Sequence, residues 1–182
     1  MTDHRVTQTE QSLQAGLIQL LQNHSFETIT IKHLCQFTQI SRSTFYRHYP
    51  DKQTLFAQIV TQQEDYFDQI LANRIQNQRQ IELLIDLYQG LVTCRTTILV
   101  LFQLNIDKLD LKQAYLKRLK QYLVGLLPSL QTPVTNDFLI ELYATNILLA
   151  LQWTLAHDDI DNIAQFMKRL TLDTLQRYRE TQ

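Results

Sequence analysis

Three glycines and three prolines in 182 residues leave this chain very little turn chemistry. A β-rich fold spends those residues at its hairpins and bends, whereas a helical one needs them only at helix ends. No stretch alternates apolar and polar residues for long, so the fold class is all-α, with about nine helices. A hydrophobic share of 45% is enough to build a substantial core.

Leu13, Leu17, Ile18, Leu20 and Leu21 recur at helical spacing, and Thr7-Gln-Thr-Glu10 reads as a capping box in front of them. Thr30 is the N-cap of a short helix through Phe37, and Ser41 caps a shorter one to about His48. Asp51, after Pro50, caps a long fourth helix of about 20 residues. The polar run Asn73–Gln80 reads as a link. Helical segments follow at about 79–95, 97–105, 110–127 and 135–157, separated by Asn105–Asp110 and Pro128–Asp137. A last helix carries Ile163, Phe166, Met167, Leu170, Leu175 and Tyr178. This organisation gives a small N-terminal domain, residues 1–50, and a helical domain, residues 51–182.

The net charge of −1 excludes a generally basic nucleic-acid coat. Between Thr30 and Lys52, however, Lys32, Arg42, Arg47 and Lys52 face Asp51 alone, a local net charge of +3. No Ser/His/Asp arrangement, Gly-rich phosphate loop, HExxH or CxxC motif is present, and the five histidines are dispersed. The expectation is therefore no enzyme, no cofactor and no metal. Cys35 and Cys94 read as reduced, buried thiols of a cytoplasmic protein. Met-Thr-Asp-His-Arg leads into no apolar run, so no signal peptide is expected. The longest apolar runs, Ile98–Leu104 and Ile147–Leu151, fall short of the ~20 residues that span a bilayer.

Two short helices separated by Thr38-Gln39-Ile40 and preceded by a supporting helix describe a helix-turn-helix. Phe45 and Tyr49, four residues apart, face inward, which turns Arg42, Ser43, Tyr46 and Arg47 outward. A helix of about 11 Å suits entry into a major groove roughly 12 Å wide. Arg42 has the fork to read guanine O6 and N7, while Thr44 reaches a phosphate or a thymine methyl. Thr30, Ser41, Tyr46, His48 and Lys52 suit phosphate oxygens, with the start of the fourth helix adding its dipole, while Arg47 reads either as a phosphate contact or as a solvated charge or salt-bridge partner.

The stretch "ITIKHLCQFTQISRSTFYRHYPDKQTL", residues 29–55, resembles the N-terminal signature of the tetracycline-repressor (TetR) family, above all in Phe-Tyr-Arg-His-Tyr and the following Asp-Lys. The resemblance covers residues 7–60 closely and the remainder only in plan. It implies DNA contacts at Thr30, Ser41, Arg42, Ser43, Thr44, Tyr46, His48 and Lys52. That family usually carries glycine in the turn, where the backbone is left-handed. Gln39 stands there in this chain, at a cost of about 1 kcal/mol. A small residue usual early in the recognition helix is replaced by Ser43, which bears on base preference.

The segment "FLIELYATNILLALQWTL", residues 138–155, is apolar on most faces and calls for burial on several sides. A partner subunit supplies it, with the last helix, as half of an intermolecular four-helix bundle. Trp153 and Asp158-Asp-Ile-Asp-Asn-Ile-Ala resemble the C-terminal domain of a Firmicute-type branch of the family, departing at Thr145 and Asn146. An uncharged or weakly polar effector is expected among helices four to eight, with Tyr66, Tyr88, Phe102, Tyr115, Tyr143 and Trp153 as candidate walls. The resulting expectation is a ligand-responsive homodimeric regulator, read as a repressor, that binds a palindromic DNA operator through residues 41–48. The alternative is a helical adaptor or co-activator acting mainly through protein–protein contacts.

Overall fold

The computed structural model describes residues 2–77, 83–125 and 134–180, with side chains described for 6–74, 83–125 and 134–170. Among these residues there are nine α-helices: α1 (Thr2–Leu21), α2 (Ile31–Thr38), α3 (Arg42–His48), α4 (Lys52–Asn77), α5 (Leu83–Leu91), α6 (Arg95–Leu101), α7 (Leu111–Val124), α8 (Asn136–His157) and α9 (Ile160–Glu180). A 3-10 turn, Val92–Cys94, joins α5 to α6. The described residues hold no strand, only an isolated bridge between Ile106 and Leu109. The all-α class is as expected.

Several boundaries differ from the sequence reading: the segments expected at 79–95 and 97–105 break instead at the Val92–Cys94 turn, and α6 ends at Leu101. The pattern Thr7-Gln-Thr-Glu10 is not a cap, because α1 already runs from Thr2. The Ser12 hydroxyl donates back to the Gln8 carbonyl at 2.9 Å, as it does inside a helix. Threonine and glutamate are tolerated within a helix, so the pattern marks a start only where the chain before it is non-helical. The expected link at Asn73–Gln80 is also displaced, since α4 continues to Asn77 and is 26 residues long. Arg74 explains this: its guanidinium pairs with Asp86 and its Nε donates to the Tyr122 hydroxyl at 3.1 Å. Residues 78–80 of that link, most of the Pro128–Asp137 separator and the side chains of Leu175 and Tyr178 lie outside the described residues.

Two compact units are formed, one by residues 1–63 and 96–110 and the other by residues 64–95 and 111–182. In the first unit, Leu13, Leu17, Leu34, Phe45, Leu55 and Phe56 are almost wholly buried. Gly16 sets how closely α1 and α2 approach: a Cβ there would meet Thr38 Cγ2 at 2.2 Å. Cys35 is buried, but Cys94 is only half-buried, contrary to expectation.

In the second unit, α5 and α7 pack on α8, and α9 packs on α5 and α8. Tyr115 is fully buried and stacks on Phe67 with ring centroids 3.9 Å apart, and burial pushes its phenol far above the usual range. Arg118 bridges Glu64 at 2.9 Å and Asp68 at 2.8 Å. Leu83–Leu101 and Asn136–His157, each with a mean hydropathy of 1.3, are long and apolar enough to cross a membrane by length and composition. Counting only unbroken apolar runs missed this. Leu84, Leu87 and Leu91 in the first, and Leu148, Leu151 and Leu155 in the second, are buried.

Candidate nucleic-acid interface

Three caps cut the sequence from residue 30 to 52 into its helices. Thr30 Oγ1 accepts the His33 amide at 3.1 Å, and Ser41 Oγ accepts the Thr44 amide at 3.1 Å. Asp51 Oδ1 accepts the Thr54 amide at 2.7 Å and the Thr54 hydroxyl at 2.8 Å, which together hold its carboxyl below the usual range. Between α2 and α3 the chain turns on Gln39, whose φ of 57° and ψ of 28° are left-handed. The Ile40 amide returns to the Cys35 carbonyl at 3.0 Å, closing α2 in a Schellman motif.

The turn fixes how α3 faces. Phe45 is fully buried and Tyr49 nearly so, at the spacing expected of an inner face. Arg42, Ser43, Tyr46 and Arg47 are exposed, Tyr46 at 55% with its ring edge-on to Phe45 at 5.5 Å. Thr30 and Ser41 are exposed beside them, and Thr44 is half-exposed. Ser41 Oγ also lies 2.9 Å from both the Ser43 and the Thr44 hydroxyl, a cluster of three at the head of α3. Capping uses the lone pairs of Thr30, so its O–H is left to donate outward. Seven of the nine expected contact residues are thus exposed or half-exposed.

His48 and Lys52 are placed differently. The His48 side chain is only 5% exposed; its Nδ1 lies 3.2 Å from Glu10 Oε1, and its buried Nε2 has no hydrogen-bond partner. Lys52 is half-buried, and burial lowers its pKa. Its Nζ donates to the carbonyls of Phe26 and, at 2.6 Å, Ile29, and lies 4.1 Å from the centroid of the Phe26 ring. Sequence reading missed these internal partners because two are backbone carbonyls and Glu10 lies 38 residues from His48. Lys32, counted in the local charge but not among the contacts, is exposed on α2.

The six expected effector residues differ widely in burial. Tyr115 is core, Tyr88 is buried with its hydroxyl donating to Asp158, and Phe102 is buried in the first unit. Tyr143 is half-buried, Tyr66 is exposed, and Trp153 is 50% exposed and stacked on His157 at 3.9 Å. A depression of about 300 Å³ lies between Gln53, Thr54, Phe56 and Ala57 on one side and Ile106, Asp107 and Leu109 on the other. A smaller one of about 170 Å³ is lined by Asp68, Lys117, Arg118 and Gln121. None of the six lines either. Among the described residues, no group of three or more His, Cys, Asp or Glu side chains is placed to hold a metal.

No family model and no curated protein sequence matches the chain. Two solved structures resemble it over nearly their whole length. One is a TetR transcriptional regulator from Streptococcus agalactiae 2603V, with a TM-score of 0.63 at 19% identity over 93% of this chain and 96% of that one. The other is the dihydroxyacetone kinase operon activator DhaS, with a TM-score of 0.53 at 16% identity over 92% and 96%. At such identities the likeness is one of architecture. This chain has the TetR-like fold, all-α with a helix-turn-helix near its N-terminus.

Proposed function

We propose that the protein is a cytoplasmic, homodimeric transcriptional regulator that reads a palindromic DNA operator with α3 and answers to a small-molecule effector. The observation that carries this reading is the two-sided character of α3. Phe45 and Tyr49 are spent on the core, while Arg42, Ser43, Tyr46 and Arg47 stand exposed with Lys32 nearby in sequence. A helix of this length, with arginine near its start, suits a major groove, and the surrounding hydroxyls suit phosphates.

Dimerisation is supported by an apolar seam. Phe138, Leu142, Leu149 and Trp153 on α8 are all exposed and fall within roughly 60° of arc on the helix. Phe166 on α9 is exposed as well. A second copy covering these faces forms the four-helix bundle expected from sequence, and a palindrome calls for two recognition helices about 34–36 Å apart. Effector binding in the second unit would act by favouring a dimer whose α3 helices no longer match that spacing. Because DhaS, a structure similar to this chain, is an operon activator, a reporter carrying the operator, with and without the protein, decides whether this regulator represses or activates.

Selection of bound duplexes from a random pool, followed by fluorescence anisotropy, tests the DNA reading. Arg42→Ala should relax preference at one or two positions of each half-site, at about 1–3 kcal/mol each. Tyr46→Ala should weaken binding to every duplex alike. If both variants bind as the wild type does, α3 is not the reading element. Capture of a protein partner with no duplex bound at any salt concentration would favour the adaptor reading instead.

A further inference from the structure

We infer that Lys52 is a positioning residue, a staple that closes the helix-turn-helix at both ends and ties it to α4, rather than a ligand of DNA phosphate. The inference rests on the DNA-binding reading above and reassigns one cation within it. Lys52 is the first residue of α4 and follows the exit of α3 by covalent chain. Its ammonium holds the carbonyls of Phe26 and Ile29, and Ile29 directly precedes Thr30, the cap that begins α2. Residues 29 and 52 are 23 positions apart, and α2, the Gln39 turn and α3 all lie between them.

The ammonium has little left to offer a phosphate. Two of its three N–H donors go to carbonyls, and the Phe26 ring covers another side at 4.1 Å. Phe26 is itself held against α4, its ring centroid 5.1 Å from that of Phe56. To reach DNA, Nζ would have to abandon two carbonyls belonging to buried residues and leave them without this donor. Lys32, Arg42 and Arg47 are already exposed and need no such rearrangement. A movement of the first turn of α4 therefore reaches the recognition helix from both directions, through the chain at Pro50–Asp51 and through the staple at Ile29.

The test compares the salt dependence of operator binding for wild type and Lys52→Met, each at a temperature where circular dichroism shows it fully folded. The expected result is a loss of affinity of about tenfold or more, with the slope of log K against log[NaCl] unchanged. A slope shallower by about 1.8, two phosphate contacts per dimer at 0.9 each, would make Lys52 a phosphate ligand and overturn the inference. Unchanged affinity with only a lower melting temperature would make it a purely structural residue and overturn it too. Nitrogen-15 NMR of the lysine ammonium groups gives a readout that needs neither DNA nor a variant. A slowly exchanging Nζ signal in the free protein that disappears in Lys52→Met supports the staple, and its absence refutes it. If the wild type binds no duplex while that signal is present, the DNA reading fails and the staple stands.

Discussion

Gly16→Ala sets two effects of known size against each other. In an open helix the change is favourable by about 1 kcal/mol, because alanine is the better helix former. Here the added Cβ would lie 2.2 Å from Thr38 Cγ2, where carbon atoms at rest are about 3.5–4.0 Å apart. Thr38 is a poor candidate for relief, since its hydroxyl is held by the Leu34 carbonyl at 2.9 Å and its branched Cβ is stiff. Either α1 and α2 separate by more than an ångström or the side chain leaves its rotamer. Overpacking of this kind costs about 1–3 kcal/mol, so against the gain of about 1 kcal/mol the net expectation is a destabilisation of up to about 2 kcal/mol. Thermal unfolding should show this as a fall of up to roughly 8 °C. Thr38→Ser removes the offending methyl and keeps the hydroxyl, so adding it to Gly16→Ala should recover most of the loss, a coupling that a double-mutant cycle measures. If Gly16→Ala alone raises the melting temperature, the close approach of α1 to α2 is wrong, and with it the platform on which α3 stands.

Gln39→Gly should stabilise the protein by about 0.5–1 kcal/mol, because the left-handed backbone at that turn suits glycine; a shift of the urea midpoint to lower concentration would contradict the turn geometry. Trp153→Glu, placing a charge in the apolar seam of α8, should weaken self-association by about 2 kcal/mol or more per copy, read by sedimentation velocity over a dilution series. For Asp51, the folded carboxyl titrates below its unfolded value near 4, held there first by the Thr54 amide. Its stabilising contribution is complete above that value and is lost as pH falls through the lower folded one. Asp51→Asn should therefore flatten the melting temperature between about pH 5 and pH 2, and an unchanged profile would remove the cap from the account.

Local chemistry was legible from the residues alone. Thr30, Ser41 and Asp51 cap as their sequence contexts require, and Phe45 and Tyr49 face inward because four residues make one helical turn. The turn at Gln39 was legible only through the family resemblance, since nothing in glutamine itself asks for a left-handed backbone. What stayed hidden was tertiary. Glu10 looks like half of a capping box until His48 is placed beside it. Arg74 looks like linker until Asp86 and Tyr122 close around it. Lys52 looks like a surface cation until two backbone carbonyls claim its ammonium, and carbonyls leave no trace in a sequence. Trp153 and Tyr115 are both aromatic residues on helices, yet one is half-exposed and the other fully buried. Spacing along one helix does not decide between those fates; the neighbours do.

The proposed function requires α3 to enter duplex DNA from a symmetric pair of subunits. Hydroxyl-radical footprinting of a pool-selected duplex at low ionic strength tests that directly. Two protected patches of equal strength, related by a dyad and centred about one helical turn or a whole multiple of it apart, are the predicted result. A single patch, or uniform cutting at every protein concentration that saturates the sample, would contradict it.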